Sequence, residues 1–190
     1  MGWRKYARKP SHLRYRSIFV IATEGHKTEP IYFQMFSRDE RCTIKIIPSR
    51  HKSSPVQVFE AALDKARKIQ LRACDEVWLV IDRDSWNEEQ LAEVCEQCGQ
   101  QEFCLAVSNP KFEYWLLLHF EDGSNISSAE DCVRRLRKHM PDYHKSSLNL
   151  NKLRNGIADA IDRAKSKDSA GRAIPPVAGS TVYRLIERLL

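Results

Sequence analysis

No uninterrupted apolar run in this chain approaches the roughly 18 residues that a membrane-spanning helix needs. Its first stretch, MGWRKYARKPSHLRYR, lacks the apolar centre of a secretion signal. Both absences point to a cytoplasmic protein with no membrane partner. Disulfide staples are not expected either: Cys42, Cys74, Cys95, Cys98, Cys104 and Cys132 are scattered over a chain large enough to build its own core, and should be reduced thiols. Cys95 and Cys98 form a C-x-x-C inside a helical pattern, NEEQLAEVCEQCGQ, with no second pair at zinc-finger spacing, so ordinary packing is the expected use. There are no internal repeats and no low-complexity tract.

Acids are missing from one end. Residues 1–16 carry six Lys or Arg and no Asp or Glu, residues 17–129 carry twelve against eighteen, and residues 130–190 carry thirteen against seven. An acidic middle flanked by basic ends is the pattern expected when nucleic acid approaches a cation site, although basic termini are often merely solvated.

Strands and helices alternate along the chain. RSIFVIATEG (16–25), CTIKIIP (42–48), EVWLVI (76–81) and FCLAVS (103–108) read as strands from their β-branched and aromatic runs. Between them lie helical patterns: TEPIYFQMFSRDE with Thr28 as N-cap, SSPVQVFEAALDKARKIQ behind a Ser-Ser-Pro start, and a stretch from about Asn87 to Gly99. This spacing builds β-α-β units and a mostly parallel four-stranded sheet covered on both faces, an α/β fold, and explains why the third strand has almost no polar relief. Further helices follow: KFEYWLLLHF, the basic SSAEDCVRRLRKHM, a single NKLRNGIADAIDRAKSK, and STVYRLIERLL after a Pro/Gly loop. The expected organisation is a basic arm over 1–16, a catalytic domain over 17–125, and a helical extension over 126–190 packed on that domain.

In open parallel sheets, ligands gather at the carboxyl ends of the strands. The first strand ends at Thr23-Glu24-Gly25, the third at Asp82-Arg83-Asp84, and the fourth at Ser108-Asn109-Pro110, with Glu113 one turn further on. Two aspartates one residue apart repel unless a cation sits beside them. Carboxylates without nearby Cys or His favour Mg2+ or Mn2+, so Glu24, Asp82 and Asp84 are the expected ligands and phosphoryl transfer the expected chemistry. Gly25, beside the first acid, would let a backbone or phosphate approach closely. Arg83, between the aspartates, is expected to point away and pair elsewhere.

IATEGHKTEPIYF, VWLVIDRDSW and SNPKFEYWLLLHF together resemble the RloB-like family of bacterial proteins, over about residues 17–120. The Glu-Gly strand end followed by Asp-x-Asp also resembles the toprim fold of topoisomerases, primases and some nucleases. The resemblance implies a toprim-like (Rossmannoid) catalytic domain acting in phage defence as a metal-dependent nuclease on DNA or RNA, sometimes encoded beside an ATPase partner. On it, Glu24 is the first acid, Asp82 and Asp84 the paired aspartates, and Asn109, Glu113 and His119 fall in the third motif. Lys111 departs from the small residue expected there, and PPVAGSTVYRL lacks the Asn-Pro that often precedes the family's last helix.

Plainer readings stand beside these. Glu113 can be an exposed helix acid, and His119, ending an apolar helix, a satisfied core group instead of a general acid or base. Lys27 (with His26), Arg50 and Lys52 lie in loops at strand ends where phosphate contacts are expected, and Arg134, Arg135, Arg137 and Lys138 form a basic cluster that one helix could present as a surface. Trp86 is the tryptophan expected nearest the site. A regulatory module that binds nucleic acid or an ATPase without cutting is the alternative function. No Ser, Tyr or Cys is marked out as a nucleophile, so strand passage through a covalent tyrosine is unsupported. Homo-oligomerisation stays open.

Overall fold

The computed structural model describes residues 15–37, 40–49, 54–83, 86–168 and 170–190. Most of the basic arm, Arg50, Lys52 and Asp84 lie outside the described residues. The elements are β1 (Ser17–Thr23), α1 (Thr28–Gln34), β2 (Cys42–Pro48), α2 (Pro55–Lys68), β3 (Glu76–Asp82), α3 (Glu88–Gln100) and β4 (Cys104–Asn109). These are followed by α4 (Phe112–Leu118), α5 (Ala129–His139), α6 (Leu150–Asn155), α7 (Ile157–Lys167), β5 (Gly179–Ser180) and α8 (Val182–Leu189). The sheet runs β2-β1-β3-β4-β5, parallel except for β5.

The alternation of side chains along β1 and β3 divides the core in two. Phe19, Ile21, Trp78 and Val80 face one side with α1, α4, α5, α7 and α8, while Val20, Ala22, Val77, Leu79 and Ile81 face the other with α2 and α3. Both faces are thus dry, which accounts for the unbroken apolar run of β3. Helices α2 and α3 start on reciprocal capping boxes, Ser54 with Gln57 and Asn87 with Gln90. Helix α4 is buried at every position from Phe112 to Leu118. A helix buried all round, apolar or aromatic at every position but Glu113, needs covering all round, and the C-terminal helices α5, α7 and α8 share its core cluster.

Three expectations are corrected here. The sheet has five strands, because Gly179 and Ser180 pair antiparallel with Asn109 and Ser108. Two residues carry no periodicity, and their pairing depends on the Ser108–Ser180 hydroxyl contact (3.0 Å) and the Val107 N–H donating to the Thr181 hydroxyl (2.8 Å). The single helix expected over 151–167 is two, α6 and α7, divided at Gly156. A Cβ there would stand 2.3 Å from the backbone oxygen of His119, so glycine is required by the close approach of α4's end. Thr28 is the first helical residue, not the cap: Lys27 occupies the N-cap position, and the Thr28 hydroxyl donates instead to the Lys145 carbonyl (3.2 Å). Among the described residues no helix is long and apolar enough to cross a membrane.

Candidate functional site

The carboxyl ends of β1 and β3 open onto a cleft of about 400 Å³, walled by Glu24, Lys27, Glu29, Asp82, Glu113 and Lys145, with Gly25, His26 and Trp86 also on its surface. Register explains why Glu24 and Asp82 meet. Thr23 lies opposite Val80, and the Glu24 N–H continues the ladder to the Val80 carbonyl (2.9 Å), so Glu24 falls one residue short of Asp82 along β3. The Asp82 N–H donates to Glu24 Oε2 and the Trp86 indole N–H to Glu24 Oε1, each at 3.0 Å. Asp82 Oδ1 accepts the Phe112 N–H (2.8 Å), fastening the end of β3 to the first turn of α4. Both acids are therefore aimed by N–H donors fixed in the fold.

Two more carboxylates close the inner wall. Glu29, 5% exposed, accepts the Gly25 N–H at Oε1 (3.0 Å). A Cβ on Gly25 would lie 2.1 Å from Glu29 Oε2, so the small residue beside Glu24 makes room for this carboxylate rather than for a phosphate. Burial, reinforced by the negative charges of Glu113 and Glu24 and opposed by the backbone N–H of Gly25, pushes the Glu29 carboxyl up to about 7. Glu113, 3% exposed, accepts the Tyr143 hydroxyl at Oε1 (2.8 Å), with Lys145 Nζ 3.9 Å away. The sequence did not single out Glu29, Tyr143 or Lys145. A glutamate in the first turn of a helix reads as a solvated dipole partner, and nothing local places 143–145 beside 113.

Other candidates fall elsewhere. His119 is buried in the core, between the Tyr32 hydroxyl at Nε2 (3.1 Å) and the Leu153 carbonyl at Nδ1 (2.7 Å), and burial presses its imidazole down to about 4. It joins α4, α1 and α6, away from the cleft. Asn109 donates to the Pro175 carbonyl (2.9 Å), holding the loop before β5. The basic cluster on α5 is not one surface: Arg135 turns back to Glu121 and the Ser124 carbonyl, Arg134 pairs with Asp131, and Arg137 and Lys138 are exposed. Arg83 does point away, to Glu88 (3.6 Å). Cys95 and Cys98 are free thiols, raised by burial.

Among the described residues no group of three or more His, Cys, Asp and Glu side chains is placed to hold a metal ion; Asp84 is outside them. The donor chemistry of Glu24 and Asp82, carboxylate oxygens on one cleft wall that also holds His26 and no cysteine, nevertheless fits a hard divalent cation. No curated protein and no solved structure matches the chain. A family model described as RloB-like protein matches residues 19–189, from β1 to the end of α8. With the strand-end acids and the α4 motif inside that span, the chain belongs to the RloB-like protein family.

Proposed function

We propose that the cleft is a metal-dependent phosphodiester-cleaving centre acting on nucleic acid, in a toprim-like arrangement, and that the protein serves as an effector of bacterial anti-phage defence. The observation that supports this most is the union of Glu24 and Asp82 through the Asp82 N–H···Glu24 Oε2 bond at the mouth of adjacent strands. Glu24, Asp82 and Asp84 would hold the ion, which when bound as Mg2+ or Mn2+ supplies charge neutralisation at the phosphate and an activated water. The chain's own groups do the rest. Trp86 and the Asp82 amide fix the direction of the Glu24 carboxylate, and exposed Lys27 offers positive charge to an incoming phosphate. Glu29, poised at about 7, exchanges a proton near neutral pH, the property a general acid or base requires. The defence setting and a separately encoded ATPase partner rest on the family resemblance.

A second reading has its own support. Asp82 Oδ1 braces α4 and Glu24 braces β3 and Trp86, which are roles a non-catalytic regulatory or nucleic-acid-binding module would also need. The experiment that separates them is incubation of the protein with DNA, RNA and tRNA in Mg2+, Mn2+ or chelator. The comparison variants are Glu24→Gln, which keeps one acceptor oxygen where Glu24 uses two for the Asp82 and Trp86 N–H donors, and Asp82→Asn, which keeps an oxygen for the Phe112 N–H. The nuclease reading expects cleavage that chelator abolishes and that either substitution reduces by about 100-fold or more, beyond the 10- to 100-fold typical of outer-shell partners. Binding that survives both substitutions, with no cleavage under any condition, would establish the regulatory module.

A further inference from the structure

We infer that Lys145 is a nucleic-acid phosphate contact of the cleft, presented by the segment between α5 and α6. The inference deepens the phosphodiester reading of the cleft and rests on it. Residues 144–147 form a tight turn, with the Ser147 N–H donating to the His144 carbonyl (2.8 Å) and the Ser146 N–H to His144 Nδ1 (3.3 Å). Lys145 stands within that turn. Two anchors fasten it to the cleft from either side: the buried Tyr143 donates to Glu113 on α4, and the Thr28 hydroxyl on α1 donates to the Lys145 carbonyl. The backbone under the lysine is thus held by both helices that line the cleft, while its side chain is 63% exposed.

The neutralisation of Glu113 does not account for this placement. The Lys145 ammonium lies 3.9 Å from Oε1 of the buried Glu113, longer than a hydrogen bond, and with the lysine side chain 63% exposed its charge also faces solvent. Glu113 already receives the Tyr143 hydroxyl. What the ammonium does provide, with Lys27, is positive charge in a cleft that also carries Glu24, Glu29, Asp82 and Glu113, where an approaching phosphodiester meets repulsion. A lysine is a point charge with three donors, suited to a single phosphate oxygen.

The test measures fluorescence anisotropy of labelled 20-nucleotide single-stranded DNA, single-stranded RNA and a 20-base-pair duplex in Ca2+ across a salt series, with wild type, Lys145→Gln and Lys145→Arg. Lys145→Gln is expected to melt like wild type and to flatten the slope of log K against log salt by about 0.7–0.9, the loss of one phosphate contact, while Lys145→Arg retains the slope. Wild-type affinity and slope in Lys145→Gln on every probe would overturn the assignment, as would a wild-type protein that binds none of the three. The two readings fail separately. Lys145-dependent binding without cleavage refutes the nuclease alone, and cleavage dependent on Glu24 and Asp82 with Lys145→Gln binding normally refutes the lysine alone.

Discussion

Replacing Glu29 by Gln should change how the stability of this protein depends on pH. Glu29 has its carboxyl raised from 4.5 to about 7, chiefly by burial and then by the charges of Glu113 and Glu24. Between those two values the native state holds a proton that the unfolded chain has released, so stability is highest below 4.5 and falls as pH rises toward 7. The gap corresponds to about 3 kcal/mol at roughly 1.4 kcal/mol per pH unit. His119 acts in the opposite sense. Burial lowers its imidazole from 6.5 to about 4, so its contribution is complete above 6.5 and is lost as pH falls toward 4. In the wild type the two slopes therefore oppose each other where they overlap, giving a nearly flat profile there and a decline as pH approaches 7. Glu29→Gln keeps an amide oxygen for the Gly25 N–H and removes one titration. Its stability should climb as pH rises from about 4 to 6.5, above which the imidazole is neutral in the unfolded chain as well, and then stay level. Urea unfolding followed by circular dichroism in chelator, at about pH 4.5, 6 and 7.5, should show the variant's advantage growing by about 3 kcal/mol across the series. A difference between the two proteins that stays constant with pH would refute the reasoning.

Gly25→Ala should destabilise the fold by about 1–3 kcal/mol, because its Cβ would fall within 2.2 Å of both Glu29 carboxylate oxygens. In a Glu29→Ala background the same change should cost much less, and a double-mutant cycle in urea detects that coupling. His119→Ala strips ring partners from the Tyr32 hydroxyl and the Leu153 carbonyl, a loss of about 3 kcal/mol in urea midpoint terms. Any cleavage activity should stay within about 3-fold of wild type at a temperature where the variant is folded, since His119 lies outside the cleft; a loss approaching the 100-fold typical of general acid–base groups would return it to the chemistry.

The parts legible in advance are those written in neighbouring residues. The run CTIKIIP is β2 at its stated bounds, and Ser-Ser-Pro marks the start of α2 one residue before the proline. EVWLVI is buried on both faces, as its composition requires. Because parallel strands end together on one edge, a Glu and an Asp at the ends of β1 and β3 were expected on the same edge, and the strand order that makes β1 and β3 neighbours lets 24 and 82 share a hydrogen bond. His119 resembled a catalytic group only because an imidazole ending a helix looks the same in sequence whether it faces a cleft or a core.

Sequence by itself determined the α/β alternation, the edge of the sheet on which the acids gather, and the family motifs that carry them. Tertiary structure alone decided that Gly25 is a socket for Glu29, that Tyr143 and Lys145 arrive from a distant loop to meet Glu113, and that β5 completes the sheet with two residues. The physical reason is the range of the determinants. Strand and helix patterns repeat every two to four residues and are visible locally, whereas the burial of a carboxylate is set by chain segments far apart in sequence that share one interior.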